Sequence, residues 1–93
     1  MVTLLAHIKV VPGTEARFER IAAELHRRTH ADEADVRRYE YWRGDEPCTY
    51  YCLESFPDLL GFLAHQTSDH HEAAGPQYQG IIDAMRLEWV DPL

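Results

Sequence analysis

Apolar side chains occupy alternate positions at Val2, Leu4, Ala6, Ile8 and Val10, which predicts a strand over 2–11 with one wholly apolar face. Pro12-Gly13 then turns the chain, and Thr14 can cap a helix with Glu15 in its first turn. Phe18, Ile21, Ala22 and Leu25 follow at helical spacing, so this helix is expected to run to about Glu33. Val36 to Arg43 is aromatic-rich with charges between, Gly44 to Pro47 carries turn residues, and Cys48 to Phe56 resumes the β pattern. That reads as a hairpin. Pro57-Asp58 opens a second helix through Leu59, Leu60, Phe62 and Leu63, and Thr67, Ser68 or Asp69 caps a third. Gly75-Pro76 is expected to end the third helix, because the residue before a proline is pushed out of the α region. A short helix restarting at Pro76 would carry Ile81 and Ile82, before Met85, Leu87 and Trp89 alternate with Arg86 and Glu88 in a last strand.

The order βαββαβ is the split-βαβ, ferredoxin-like plan of an α+β domain, with helices on one face of a four-stranded antiparallel sheet. At 93 residues the whole chain, 1–93, is one domain. The other sheet face needs a partner. Aromatics fall on both parities of the third strand, Tyr50 and Cys52 against Tyr51 and Leu53, so polar-out alternation fails there. A lone domain would expose apolar sheet surface, and a homodimer packed sheet against sheet is the expected remedy.

Charge narrows the partners. Nine basic residues against 16 acidic ones give a formal charge of -7 with no Lys/Arg stripe, so a nucleic acid would be repelled. The apolar runs are short, and no basic segment followed by an apolar one stands at the N-terminus, so neither a membrane span nor a leader is expected and a cytoplasmic location is. Cys48 and Cys52 lie four residues apart in a predicted strand, roughly 13 Å by strand rise, too far for a disulfide.

The Val11-Pro12-Gly13 turn with Glu15 and Phe18, the Arg38-Tyr39-Glu40 strand, Glu54 with Phe56, and His65-x-x-Ser68-x-His70 together resemble the antibiotic biosynthesis monooxygenase family. The resemblance spans nearly the whole chain, departing at Ala34-Asp35, where the family often has Pro-Gly. It implies a dimeric α/β barrel in which each subunit keeps a ligand cavity between sheet and helices. Some members resembling this chain oxidise quinols or polyketide-derived phenols with O2 and no bound cofactor, others degrade haem, and many have no known reaction. In the haem-degrading branch an asparagine, a tryptophan and a histidine recur; the matching positions here hold His7, Leu63 or Ala64, and Gly75, so that pattern is absent.

Three of the six histidines, His65, His70 and His71, fall within seven residues around the predicted break between helices. In the first turn of a helix the positive end of the dipole disfavours an imidazolium, so His70 and His71 are expected neutral, whereas His65, at a helix C-terminus, is expected to favour a proton. His65 and His70 are therefore candidate catalytic groups, one donor and one acceptor. Histidines at helix ends also commonly satisfy loose carbonyls or face solvent, and haem ligation by His70 or His71 stays open. His7, Trp42, Tyr50 or Tyr51, Phe62, His71 and Tyr78 are candidate pocket residues for a small aromatic substrate. His26 and His30, spaced to share a helix face, read as a solvated face. No metal is assigned. With no GxGxxG, P-loop or HExxH motif, neither a nucleotide nor a flavin is expected.

Overall fold

In a computed structural model describing residues 1–93, the chain forms β1 (Val2–Val10), α1 (Glu15–Asp32), β2 (Arg38–Arg43), β3 (Thr49–Phe56), α2 (Leu59–Gln66), α3 (Asp69–Gln77) and β4 (Ile82–Val90). The four strands make one antiparallel sheet in the order β2-β3-β1-β4. This is the expected α+β ferredoxin-like plan, with the second helical crossover broken into α2 and α3. Gly13, at φ 92, makes the turn into α1, where Glu15 Oε1 accepts from the Gly13 N–H at 2.7 Å. Asp58 caps α2 by accepting from the Gly61 N–H, and Ser68 caps α3 by accepting from the His71 N–H.

The core lies between the helices and one sheet face. β1 buries Leu4, Ala6, Ile8 and Val10 there, and the strand register sets Glu54, Cys52 and Tyr50 of β3 beside Leu4, Ala6 and Ile8. Tyr39 and Tyr41 of β2 pair in turn with Glu54 and Cys52. Against them α1 turns Phe18, Ala22, Leu25 and Thr29, with the Phe18 ring packed on Tyr41, Tyr50 and Tyr78. A carboxylate, Glu54, thus stands on an otherwise apolar and phenolic wall.

Three local expectations fail. The third helix does not stop at Gly75-Pro76 but continues to Gln77. Gly75 has no Cβ to clash with the proline ring, and Pro76 falls in the last turn, where Tyr78 N–H closes the helix on Ala74 O and Gly75 O. No helix restarts there: residues 78–81 turn, Gly80 adopts φ 76, Ile81 is buried, and Ile82 opens β4. The β2 strand begins at Arg38 rather than Val36.

The face away from the helices is mixed. Leu5, Tyr51 and Leu53 are half-buried there and Trp42 is 58% exposed, but Lys9, Arg38, Glu40, Arg86 and Glu88 share the surface. Part of the apolar surplus lies elsewhere. Met85, Leu87 and Trp89 sit on the helix side of β4, opposite Ile8, Ala6 and Leu4, and stay about half exposed, since β4 is an edge strand. Leu59, Leu60 and Leu63 of α2 are exposed as well.

Candidate functional site

A cavity of about 190 Å³ opens between the sheet and the helices, walled by Leu4, Ala6, Ile8, Leu25 and Ala74, with the half-exposed Met85 and Leu87 at its rim. Tyr39, Tyr41, Tyr78, Cys52, Glu54, Gln66 and His71 supply its polar atoms. Burial pushes the Tyr39 and Tyr41 phenols far above their ordinary value and Tyr78 up to about 12, so all three stay protonated near neutrality. The Tyr39 and Tyr41 hydroxyls lie 2.9 Å apart, whereas the Tyr78 hydroxyl is buried with no partner. Burial, reinforced by the Glu54 charge, likewise holds the Cys52 thiol protonated, which excludes it as a nucleophile.

Glu54 is the unusual group. Only 8% exposed, its carboxyl is raised to about 7, chiefly by burial, against a smaller opposing hydrogen bond from the Cys52 thiol. Oε1 has no hydrogen-bond partner. A carboxylate with a proton affinity near ambient pH, in an apolar cavity, has the properties of a general base.

Behind Glu54 stands a cluster gathered from three helix ends. Glu33 caps the C-terminus of α1, His65 lies in the last turn of α2 and His70 in the first turn of α3. His65 is sealed from solvent, and its Nδ1 lies 2.8 Å from Glu33 Oε2, the same oxygen that His70 Nε2 meets. Because a carboxylate only accepts, both ring nitrogens are the donors. His65 Nε2 is then a bare acceptor; it has no partner and lies 3.9 Å from Glu54 Oε1. Burial holds the His65 imidazole below its ordinary value despite the opposing pull of Glu33, so the expectation of a protonated ring at this helix end is corrected. Desolvation outweighs the helix dipole at a site with no access to water. His71 is also held low by burial and is neutral as expected.

The ligating atoms of Glu33, His65 and His70 all lie within 4.8 Å of one another. Both nitrogens are hydrogen-bonded to one oxygen, with 2.8 Å between His65 Nδ1 and Glu33 Oε2, closer than the roughly 3.3 Å that separates two ligands of a tetrahedral zinc ion. The spacing is that of a hydrogen-bonded cluster.

Of the other candidate residues, His71 and Tyr78 line the cavity. His7 does not: its parity on β1 sends it to the open sheet face, where Nε2 lies 2.8 Å from Glu88 Oε1 and 3.0 Å from the Arg86 guanidinium. Tyr51 shares that face, edge-on to His7, and so does Trp42, whose indole N–H donates to Glu40. Tyr50 points inward but away from the cavity, donating to Glu19 Oε2 at 2.7 Å beside a groove between α1 and β2. Phe62 is buried against Phe56 and Trp89 in a separate small core. His70 lies outside the cavity wall, on a polar surface pocket it shares with Glu33. Sequence reasoning left out Glu54, Glu33, Tyr39 and Tyr41 as site residues. For Glu54 the signal was its parity with Tyr50, Cys52 and Phe56.

The sequence model for the antibiotic biosynthesis monooxygenases matches residues 1–77, which span β1 to the end of α3 and so contain Glu33, Glu54, His65 and His70. The chain belongs to the antibiotic biosynthesis monooxygenase family. Family members are commonly dimeric, and membership goes with a monooxygenase-like or small-molecule-binding role. No helix is long and apolar enough to cross a membrane. A Caulobacter crescentus structure, described as a candidate antibiotic biosynthesis monooxygenase, is 26% identical with a TM-score of 0.93 and covers 99% of this chain and 89% of its own. Proteins from Pseudomonas aeruginosa (20% identity, TM-score 0.91, 99% and 93% covered) and Mycobacterium tuberculosis (15%, 0.89, 99% and 94%) share the fold. Among curated proteins none matches the chain.

Proposed function

We propose that this family member oxidises a small, uncharged, electron-rich phenol or quinol with O2, without a resident cofactor, and that Glu54 removes the phenolic proton. The observation that carries the reading is the Glu54 carboxyl, unpartnered at Oε1 and raised to about 7 in a cavity walled by aliphatic and phenolic side chains. The cavity's size favours one substituted ring or two fused ones, since an apolar cavity of about 150 Å³ is known to admit benzene. Larger polycycles would project past Met85 and Leu87. No Lys or Arg lines the wall, and Glu54 repels anions, so carboxylated aromatics are disfavoured.

Deprotonation makes the ring the electron donor. The phenolate carbon adds to O2, the peroxide takes back the proton held by Glu54, and loss of the ring hydrogen expels water and leaves a carbonyl. Substrate plus O2 thus gives quinone plus water, with all four electrons drawn from the substrate. Tyr78, whose buried hydroxyl has no partner, would donate to a substrate oxygen.

Oxygen consumption with a panel of monocyclic and bicyclic quinols is expected to exceed the uncatalysed rate, with one atom from labelled O2 in the product. A folded protein that leaves every member of the panel at the background rate contradicts the proposal. Ligands that raise the melting temperature yet emerge unchanged would instead identify a binding module without turnover.

We further infer that the chain works as a homodimer, on the support of Trp42, Leu53 and Tyr51 on the open sheet face and the half-exposed apolar residues of β4. Sedimentation as a single chain at micromolar concentration would refute it.

A further inference from the structure

We propose that Glu33 and His70 fix the proton of His65 on Nδ1, and that the bare Nε2 so presented makes His65 the positioning residue that holds Glu54 once Glu54 has taken a proton from the cavity. The second half rests on the role of Glu54 as a base; the first does not.

The geometry leaves few alternatives for the ring. Glu33 Oε2 receives both His65 Nδ1 and His70 Nε2, so a neutral His65 has its single proton spent on that side. The groups facing His65 from the surrounding elements are Tyr39 of β2, Glu54 of β3, Glu33 at the end of α1, and His70 and His71 of α3. Phe56 adds an apolar wall. None of them gives Nε2 a hydrogen bond.

Opposite Nε2, at 3.9 Å, stands Glu54 Oε1, the other orphaned atom of the cluster. While Glu54 is ionised, two lone-pair atoms face each other and repel. A proton on Oε1 converts that opposition into an O–H···N bond after a closing movement of about 1 Å, to the usual 2.7–3.0 Å. The 3.9 Å gap is also too short to hold a bridging water. The pair therefore discriminates between the two states of Glu54, favouring the one that follows proton abstraction. Glu33 and His70 have their outer surfaces on a polar pocket of about 370 Å³ lined also by Asp32, Asp35 and Asp69, so the lock is set from the solvent side and read from the cavity side.

The test is nitrogen NMR of labelled protein, reading the tautomer of His65, together with carbon NMR of the Glu54 carboxyl, in wild type, E33A and E33Q. Wild type and E33Q, whose amide oxygen still accepts, are expected to show His65 protonated on Nδ1. E33A is expected to move the proton to Nε2, where it donates to the Glu54 carboxylate and lowers the Glu54 titration midpoint below that of E33Q. Both variants remove the same negative charge, so the difference between them isolates the tautomer. Wild-type His65 protonated on Nε2, a tautomer unmoved by E33A, or equal Glu54 midpoints in the two variants would each overturn the proposal. These readouts need no turnover, so an inactive protein with the expected tautomer shifts would sink the oxygenase reading alone. Where turnover is measurable, E33A should have a lower kcat than E33Q, with KM alike in the two.

Discussion

Replacing Glu54 by glutamine is expected to lower kcat for any phenol or quinol the protein oxidises by about 100- to 10,000-fold, the usual worth of a positioned general base. Glutamine keeps the size, the planar end and one acceptor oxygen of Glu54 but cannot take a proton. The aliphatic and tyrosine wall that binds the ring is untouched, so KM and the thermal shift caused by ligand should stay close to wild type. In wild type, kcat/KM should rise with pH through about 7 as Glu54 loses its proton, and level off above. The residual rate of E54Q should lack that step. A kcat within tenfold of wild type would place the base elsewhere, with His71 the remaining titratable group on the wall able to serve.

The second large effect is on stability and follows from the same burial. Glu54 titrates at about 7 when folded and at the ordinary 4.5 when unfolded. Between those values the folded chain binds more protons than the unfolded chain, so stability falls as pH rises. The loss begins near pH 4.5 and is complete above about 7, and amounts to about 3 kcal/mol. E54Q does not carry this dependence. Urea unfolding of both proteins at pH 4 and pH 8 should show the variant gaining on wild type by about that amount across the interval. His65 and His71, held low by burial, gain stability as pH rises through their unfolded value, and half-buried, ion-paired carboxylates such as Glu19 and Glu88 do so in the acid range. The contributions of His71, Glu19 and Glu88, which make no contact with Glu54, are common to both proteins and leave the difference. A constant gap between wild type and E54Q would mean that the Glu54 carboxylate is solvated in the folded state.

Periodicity carried the fold because each element is a local pattern with a visible boundary. Alternation in β1, the three-and-four spacing of Phe18, Ala22 and Leu25, and Ser68 ahead of Asp69 all sit within a few residues of what they determine. The Gly75-Pro76 break failed because the rule for residues preceding proline rests on a Cβ that Gly75 lacks. Side-chain parity also held information that chemistry overrode: His7 lies out of phase with Leu4, Ala6 and Ile8, and Tyr51 out of phase with Tyr50, so both face away from the helices. Histidine spacing pointed to the corner where His65 and His70 meet but not to the carboxylate that joins them. Glu33 joins His65 and His70 only because α1 ends where α2 and α3 meet, a convergence across 32 and 37 residues of chain that no local window contains. Glu54 was legible in its strand phase as a carboxylate among inward-facing residues. What the pattern could not supply was that its Oε1 finds no partner there.

The proposed chemistry depends on one carboxyl group kept from water, its Oε1 without a partner inside the cavity. Carbon NMR of selectively labelled protein, following the Glu54 carboxyl through a pH titration of the folded chain, measures this directly. A midpoint near 7 is the predicted result. A midpoint at or below the ordinary 4.5 would contradict it and remove the base from the proposed chemistry.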